Sequence, residues 1–299
     1  MSGFSVVVPS YNSASYIGCA FKSIEAASKG RPFEILVVDD LSSDIKSLEE
    51  ACSQRGGVKL IKKKKKTNAA HSRNLGVAHS RYDLVFLLDS DDMLLESAVD
   101  QRLALHEKNN AGIIFGNYIT KRGEKQVVST MQWEGELVRD FLFGGGGDFR
   151  TSTISIYKPF YKNTEFDERA AKHQDWIFGM KCCDAGEDMC FDSKPVSVIN
   201  VDSGARMSSK LNLDASRYLV KEYLHDQRHI NGFSKKHWRS AVANGDSAAV
   251  AYYTSIFTPA RLNDHVSKML YRFLSKGAGI WLFSRAMRLA RKIKWLKLG

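Results

Sequence analysis

The sequence predicts an α/β fold in which a sheet of short strands is flanked by helices. Two observations predict it. In the N-terminal half, short runs of large apolar residues alternate with longer segments of helical spacing, as in parallel strands joined by crossover helices. Three of these runs also end in polar or acidic residues, which suits the open edge of such a sheet, where ligands bind.

The predicted elements follow one another in a regular order. Each strand is a short, mostly apolar run, as expected for a strand largely buried in a sheet. The predicted strands are Phe4–Val8, Ile35–Val38, Val58–Ile61 and Leu84–Leu88, and the predicted helices are Ala14–Ser28, Ser42–Gln54, Asn68–His79 and Met93–Lys108. Because right-handed crossovers return the strands to the same edge, the loops that follow them should gather there.

The most informative of these loops is Asp89-Ser90-Asp91-Asp92, which follows the last of the four strands. Three carboxylates within four residues repel one another and are costly to remove from water, so packing does not explain them. A cation that prefers oxygen ligands, such as Mg²⁺ or Mn²⁺, would offset the repulsion. The alternative is a surface turn in which Asp92 caps the helix Met93–Lys108.

Further motifs occur in the order of a known family. They are Val7–Asn12, Glu34–Asp40, Ala70–Gly76, Leu87–Asp92, Phe166–Glu168 and Gln174–Trp176. Together they resemble the family 2 glycosyltransferases over roughly residues 3 to 210. The resemblance implies the GT-A fold, a Rossmann-like mixed sheet flanked by helices. We expect a catalytic domain over residues 1–210 and a helical region over residues 211–299, where Tyr218–His229 and Lys235–Ala243 have helical spacing and Gly232 and Gly245 interrupt it.

The resemblance also implies a site for a UDP-sugar. Tyr11 would stack on uracil, Asp40 with Asp39 beside it would accept the uracil N–H, and Asp89 would hold the ribose. Arg73 would reach toward the base and the diphosphate. The metal, Mn²⁺ or Mg²⁺, is expected on Asp91 and Asp89, which form the DXD motif. The implied nucleotide-sugar-binding residues are Pro9, Tyr11, Asn12, Asp39, Asp40, Arg73, Asp89, Ser90, Asp91 and Arg206.

Several of these assignments have alternatives. Asp39 could instead be a buried, hydrogen-bonded residue at the end of its strand, and Tyr11 a plain loop aromatic. Asp44 is interpreted as a surface or capping residue. Leu41 departs from the family, whose members commonly have glycine after the two acids, so this loop could differ in shape. Arg206 belongs to a segment with Asp202 and Ser208 that only partly matches a diphosphate-binding stretch of the family.

The general base implied by the resemblance is Asp175. A sugar hydroxyl becomes a good nucleophile only when its proton is taken in the transition state. In the family this base belongs to a Glu-Asp pair, but Gln174 replaces the first acid here, which removes a like charge that would raise the pKa. Such a base suggests a single in-line displacement with inversion. The alternative is that Asp175 caps the helix that follows it.

The acceptor side is expected between Asn117 and Phe166. The run Gly144–Gly147 is interpreted either as a mobile loop near the acceptor or as a flexible connector. Trp133 and Trp176 could stack on sugar rings, but core packing is favoured for both.

Composition and charge narrow the class of protein. The chain has 299 residues and is 43% apolar, so a folded core is expected. Its five cysteines show no disulfide or metal spacing, which fits a reducing cytoplasm. Neither a signal peptide nor an apolar run of 18 residues is visible. The net charge is +11, yet we do not expect nucleic-acid binding, because no such motif occurs and the acidic loops would repel phosphate without a metal.

The basic residues concentrate at the end of the chain. From Lys268 onward there are nine basic residues and no acid, interleaved with apolar and aromatic ones. A basic amphipathic helix of this kind is typical of one lying on an anionic membrane, so we expect residues 268–299 to bind the inner face of the cell membrane. The alternative is packing on the catalytic domain or on a second copy in a homodimer. The run Lys62–Lys66 is interpreted as a solvated loop that could also attract an anionic donor or a membrane.

The sequence therefore predicts a metal-dependent, inverting glycosyltransferase, cytoplasmic and peripherally membrane-bound. It would move a hexosyl or N-acetylhexosaminyl group from a UDP-sugar to a hydroxyl of a glycan or lipid-linked acceptor in bacterial surface polysaccharide biosynthesis. One alternative is a soluble transferase that acts on a protein acceptor or a free sugar. Another is a nucleotide-sugar-binding protein without turnover, for which Gln174 is the sequence hint.

Overall fold

A computed structural model describes residues 3–201, 211–258, 265–276 and 278–285 of the chain. The chain divides into two compact units, Met1–Phe141 with Gly147–Ala205 and Leu142–Gly146 with Arg206–Gly299. The domain boundary predicted near residue 210 falls outside the described residues and stays a prediction.

The first unit is built on two β-sheets. Its strands are β1 Phe4–Ser10, β2 Phe33–Asp39, β3 Val58–Lys62, β4 Leu84–Leu87, β5 Met93–Leu94, β6 Ile113–Gly116, β7 Ile119–Arg122, β8 Lys125–Val128, β9 Ser155–Tyr157, β10 Met189–Asp192 and β11 Ser197–Asn200. The larger sheet has the order β10-β6-β9-β4-β1-β2-β3. Only β9 runs antiparallel to its neighbours in it. This mixed sheet confirms the predicted α/β fold.

Helices connect the strands of this unit. They are α1 Ile17–Ser28, α2 Ile45–Ser53, α3 Ala69–His79, α4 Ala98–Asn109, α5 Val138–Phe143, which continues into the second unit, and α6 Gln174–Asp184. Helix α1 shows why they pack: Ile17, Phe21 and Ile24, three or four residues apart, lie in one buried cluster with Val6 and Val8 of β1. The first two helices begin three residues later than predicted, since the segments before Ile17 and Ile45 belong to the loops that follow β1 and β2.

The smaller sheet, in the order β5-β11-β7-β8, corrects one prediction. The helix predicted over Met93–Lys108 is wrong in its first five residues, because Met93 and Leu94 pair with β11 and α4 begins only at Ala98. Asp92 therefore does not cap a helix. It lies between β4 and β5, so both sheets fix the ends of the acidic loop.

The second unit is helical in its described part. Its helices are α7 Leu213–Tyr223, α8 Gln227–Asn244, α9 Ser247–Ile256 and α10 His265–Leu274, and residues 278–285 are also helical. The helix predicted over Tyr218–His229 is divided, because Asp226 accepts the backbone N–H of Arg228 and starts α8. Gly245 ends α8 with a φ of +64°, as predicted.

Gly232 does not interrupt a helix, contrary to the prediction, but lies inside α8. Its lack of a side chain serves close packing, since a Cβ atom there would lie 1.9 Å from the carbonyl oxygen of Phe143. In the described parts of the chain, we find no helix whose length and apolar character would let it cross a bilayer. Residues 286–299, the basic end of the predicted amphipathic helix, lie outside the described residues.

Candidate functional site

The loops after β1 and β2 are joined side by side at one edge of the large sheet. Asn12 has a φ of +53°, a left-handed conformation that asparagine tolerates. Its Oδ1 accepts the backbone N–H of Ser43 at 2.8 Å, and its own N–H donates to Ser42 Oγ at 2.9 Å. Asn12, predicted as a ligand residue, thus also fixes the two loops relative to each other.

The two acids after β2 differ in their surroundings. Asp39 is buried, and its carboxylate accepts both the hydroxyl and the backbone N–H of Ser42. This arrangement corresponds to the alternative in which Asp39 is a hydrogen-bonded residue at the end of its strand. Asp44 does not cap α2 through its side chain. Its Oδ2 accepts the backbone N–H of Ala14 at 2.9 Å, another tie between the loops.

Asp40 is buried and surrounded by cationic and N–H donors. Lys63 lies 2.8 Å from its Oδ1, Lys66 lies 3.2 Å from its Oδ2, and the backbone N–H of Thr67 donates to Oδ1 at 2.8 Å. Although burial opposes the charge, these groups lower the pKa of Asp40. The carboxylate is therefore held ionised, as an acceptor of a base N–H must be.

Tyr11 is the most exposed of the predicted base-binding residues, with 53% of its surface accessible. Its neighbour Pro9 lies in β1 opposite Val38 and is partly exposed. The Tyr11 ring carries the ammonium group of Lys66 over its face. A flat, exposed ring at this edge is a surface on which a base can stack.

Arg73 connects the acidic loop to helix α6. Its side chain is buried against the Phe166 ring, and its two terminal nitrogens donate to Asp89 Oδ1 at 2.7 Å and to Gln174 Oε1 at 2.9 Å. Gln174 in turn donates to the carbonyl of Ala170 at 2.7 Å. A glutamate could not make that last bond, so the replacement of an acid by Gln174 has a local structural reason.

The acids of the loop after β4 differ in burial, since Asp92 is buried and Asp89 and Asp91 are partly exposed. Asp92 is buried, and it accepts the Ser152 hydroxyl at 2.6 Å and the backbone N–H of Asn200 at 3.0 Å. Burial, with the charges of Asp89 and Asp91, raises its pKa to about 8. Asp89 and Asp91 are more accessible, and Ser90 hydrogen-bonds Tyr16. The negative potential that acts on Asp92 is the kind that a bound cation would neutralise.

These carboxylates suit a hard divalent cation. Among the described residues, no three acidic, histidine or cysteine side chains converge as a complete metal site. Mg²⁺ sites in phosphate-transferring proteins, however, commonly use one or two carboxylates and complete their coordination with phosphate oxygens and water. Asp89 and Asp91 provide such oxygen ligands, and they fit Mg²⁺ or Mn²⁺ together with a diphosphate.

Asp175 lies in the first turn of α6. His173 is the residue that precedes the helix, so Asp175 is not its N-cap. Within the described ranges of the chain, its carboxylate accepts one hydrogen bond, from the adjacent N–H of Trp176 at 3.0 Å. Burial raises the pKa of Asp175 to about 6, with Asp148 adding to the rise and Arg150 and Arg73 opposing it. A carboxylate with this pKa can take up a proton near neutral pH.

A network beside Asp175 was not predicted from the sequence. Asp148 accepts the indole N–H of Trp176 at 3.0 Å, the Arg150 Nε–H at 2.6 Å and the Tyr118 hydroxyl at 3.1 Å. Although burial opposes it, Asp148 and Asp175 raise the pKa of Arg150. The only sequence signal was the position of Asp148 and Arg150 directly after the glycine run, which carries no recognisable motif.

Both tryptophans considered as sugar-stacking residues contact other aromatic rings. Trp133 packs its ring edge-on against Phe115, and Trp176 stacks on His173. Within the glycine run, Gly147 lies against Phe141, whose ring a Cβ atom would meet at 2.4 Å. Arg206, with Asp202 and Ser208, lies outside the described residues.

Comparisons with known proteins identify the family of the chain. The family model described as Glycosyl transferase family 2 matches residues 5–164. The amylovoran biosynthesis glycosyltransferase AmsB of Erwinia amylovora is 30% identical over 206 residues, which are 65% of this chain and 68% of AmsB. The poly(ribitol-phosphate) beta-N-acetylglucosaminyltransferase TarP of Staphylococcus aureus is 26% identical over 53% of this chain, and the match spans about half (49%) of TarP.

A solved structure extends the likeness to almost the whole chain. The crystal structure of residues 1–349 of S. aureus TarS in complex with UDP-GlcNAc superposes with a TM-score of 0.62. The match covers 96% of this chain and 92% of that one at 18% sequence identity. At this identity the likeness concerns the fold.

Proposed function

The chain belongs to glycosyl transferase family 2, and from this premise we propose that it transfers a sugar from a UDP-sugar to a hydroxyl of a glycan or lipid-linked acceptor in bacterial surface polysaccharide biosynthesis. The relatives support this substrate class. AmsB is named for amylovoran biosynthesis, and the Escherichia coli protein WfgD, 31% identical over 38% of this chain, for beta-1,3-glucosyl transfer from UDP-Glc to a diphosphoundecaprenol-linked GlcNAc. TarS binds UDP-GlcNAc.

The proposal rests on one observation: side chains suited to the parts of a nucleotide-sugar are linked to one another in the first unit. The ring of Tyr11 and the carboxylate of Asp40 are linked through Lys66. Arg73 joins Asp89, at the end of β4, to Gln174, the neighbour of Asp175. Groups suited to a base, a ribose, a diphosphate and a general base thus come from five separate segments of the sequence.

The proposed reaction is a single in-line displacement. Asp175 takes the proton of the acceptor hydroxyl as the acceptor oxygen forms its bond to the anomeric carbon. The bond between that carbon and the diphosphate oxygen breaks, and UDP leaves on the opposite face, which inverts the configuration. Asp91 and Asp89 would hold a Mn²⁺ or Mg²⁺ ion, which neutralises charge on the leaving diphosphate when it is bound.

The donor group is proposed to be a hexosyl or N-acetylhexosaminyl unit. The names of WfgD and TarP, a glucosyl and an N-acetylglucosaminyl transferase, support both options.

We also propose that the second unit holds the enzyme, in the cytoplasm, against the inner face of the membrane. Its described residues between 268 and 285 expose the apolar side chains Met269, Phe273, Trp281 and Leu282. Over the same span, the basic residues Lys268, Arg272, Lys276 and Arg285 are exposed and there is no acid. Exposed aromatic and basic groups side by side favour an anionic lipid surface, although a second copy of the chain is the alternative occupant.

The donor site is tested by calorimetric titration of UDP in the presence of Mn²⁺. Asp91→Ala should abolish metal-dependent UDP binding, because it removes a carboxylate of the DXD motif that is proposed to hold the metal. The matched control is Asp83→Ala, which removes the same charge from an exposed position at the other end of β4 and should bind UDP like the natural protein. Undiminished binding by Asp91→Ala would remove the assignment.

A further inference from the structure

The proposed function assigns no ligand contact to the five lysines Lys62–Lys66, although Lys66 links Tyr11 to Asp40, and the structure separates the five into different environments. Lys62 pairs with Glu49 at 2.8 Å on the surface. Lys64 and Lys65 are exposed, and neither has a hydrogen bond or ion pair within the described part of the chain. Lys63 and Lys66 both turn toward Asp40. The run is therefore more than a solvated loop.

Lys63 is a buried support for the loop. Its ammonium group pairs with Asp40 and donates to Ser72 Oγ at 2.9 Å, to the carbonyl of Asn68 at 3.1 Å and to the hydroxyl of Thr67. These contacts engage its donors fully. Lys63 thus neutralises Asp40 and ties it to the start of α3, and it has no donor left for a ligand.

Lys66 differs because it lies between the two groups assigned to the base. Its ammonium donates to the carbonyl of Asp40 at 2.7 Å and lies 3.2 Å from the Asp40 carboxylate. The same nitrogen lies 2.9 Å from the centre of the Tyr11 ring. Its side chain is 46% exposed, so it can move without disturbing the core. A base that stacked on Tyr11 and reached Asp40 would have to contact Lys66.

We propose that Lys66 is a base-recognition residue of the nucleotide site, an inference that rests on the proposed function. The ammonium donor and the neighbouring carboxylate acceptor complement an edge on which a ring N–H adjoins a carbonyl. Uracil presents such an edge. When the base arrives, the flexible stem of Lys66 lets its ammonium leave the Tyr11 face and donate to the base carbonyl. It stays beside Asp40, which accepts the ring N–H.

The test compares Lys66→Ala with Lys64→Ala, which removes the same charge from an exposed neighbour. Three probes are titrated with Mn²⁺ present: UDP, uridine without phosphate and inorganic pyrophosphate without a base. Lys66→Ala should weaken UDP and uridine binding about tenfold, the effect of losing one hydrogen bond from a charged donor. It should leave pyrophosphate binding unchanged. Lys64→Ala should leave all three affinities unchanged.

Each other outcome overturns the inference in a recognisable way. If Lys66→Ala bound UDP as tightly as the natural protein, Lys66 would be a bystander, and tighter binding would make it an obstacle that the base must displace. An equal loss for pyrophosphate would reduce it to a general attraction for phosphate. Failure of the natural protein to bind UDP at all would contradict the proposed function itself, and this inference with it.

Discussion

Asp175 is the residue on which turnover should depend. Among the residues that the structure describes, its carboxylate accepts a hydrogen bond from the N–H of the next residue alone, which leaves the carboxylate available to an acceptor hydroxyl. Asp175→Asn should therefore reduce UDP release from a UDP-sugar in the presence of acceptor by at least about 10²-fold. Calorimetry should show unchanged UDP affinity, because Asp175 is expected to contact the acceptor and not the nucleotide. Turnover at the level of the natural protein would exclude Asp175 as the base.

The pH dependence has a definite sign. Burial raises the pKa of Asp175 to about 6, and a base acts only when it is deprotonated, so turnover should fall as the pH falls below this value. The pH–rate profile of the natural protein measures this directly, since the pH at which its acidic limb falls reports the pKa of the base. A limb near the ordinary pKa of an aspartate, about 4, would show that burial does not act on the catalytic group.

Arg150 should set the position of that limb. Its positive charge favours the ionised form of Asp175, so Arg150→Gln should move the acidic limb to higher pH, by about one unit for the loss of a nearby opposite charge. Arg150→Lys keeps the charge and serves as the control. The same limb in all three proteins would mean that Arg150 acts only through its bond to Asp148.

The sequence identified residues that carry a local motif and missed those that do not. Asp91 and Asp175 stand in short motifs that resemble those of the family, and their predicted roles come from that resemblance rather than from spacing alone. Asp148 and Arg150 join the site through contacts with Tyr118 and Trp176, about 30 residues away on either side, which no local pattern records. Gln174 is the sequence hint for a binder without turnover, and the structure adds that its side chain bonds to Arg73 and to the carbonyl of Ala170.

At the scale of elements, the loop after β2 carries a conformational cost. Leu41 has a φ of +59° and is exposed, although side chains with a Cβ atom disfavour this region by about 1–2 kcal/mol. The loop thus adopts, with leucine, a conformation that a glycine would take without strain.

Leu41→Gly should raise the free energy of unfolding by about 0.5–1 kcal/mol, the strain relieved less the added chain entropy of glycine. Leu41→Ala keeps the Cβ atom and should give no gain. Urea denaturation of the three proteins measures both. Equal effects of the two substitutions would show that the loop does not store this strain.

Helix α8 offers an opposite case, since glycine lies inside it. Gly232→Ala should lower the free energy of unfolding by about 1–3 kcal/mol, because the new methyl group would collide with the Phe143 carbonyl. Helix propensity alone would favour alanine by about 1 kcal/mol. Gly18→Ala in α1, where nothing lies within 4 Å of the new methyl group, is the control and should be neutral or stabilising. Stabilisation by Gly232→Ala would contradict the packing described for α8.

The predicted boundaries of helices and strands were wrong where pairing between distant segments, or a cap inside a helical pattern, determines them. The sequence predicts a helix where strand β5 lies. The two residues of β5 are extended because they pair with β11, about 100 residues later in the chain, and no local pattern shows this pairing. The helix break at residues 224–226 was missed for a related reason: the cap supplied by Asp226 lies within a segment of continuous helical spacing.

At the scale of the whole molecule, the apolar and basic surface of the second unit should direct the chain to anionic membranes. Replacing Phe273 and Trp281 with serine should lower cosedimentation with phosphatidylglycerol vesicles about tenfold or more, since both exposed side chains would bury apolar surface in the lipid. Leu137→Ser, which removes an equally exposed apolar side chain from the first unit, should have no effect. Unchanged binding by the double variant would point instead to a contact between copies of the chain.

The overall architecture was predictable to an uneven degree. The fold of the catalytic half was predictable, because six ordered motifs indicate both the sheet and the candidate site at its edge. Residues 202–210 and 286–299 lie outside the described residues, so the roles of Arg206 and of the basic end rest on the sequence and stay predictions.

The most direct test of the central claim, a metal-assisted nucleotide-sugar site at the edge of the large sheet, is a thermal-shift panel of UDP, GDP, CDP and dTDP, each with and without Mn²⁺. We expect UDP with Mn²⁺ to raise the melting temperature clearly more than UDP alone or any other nucleotide with the metal. No shift with any nucleotide, or a shift by UDP that ignores the metal, would contradict the account.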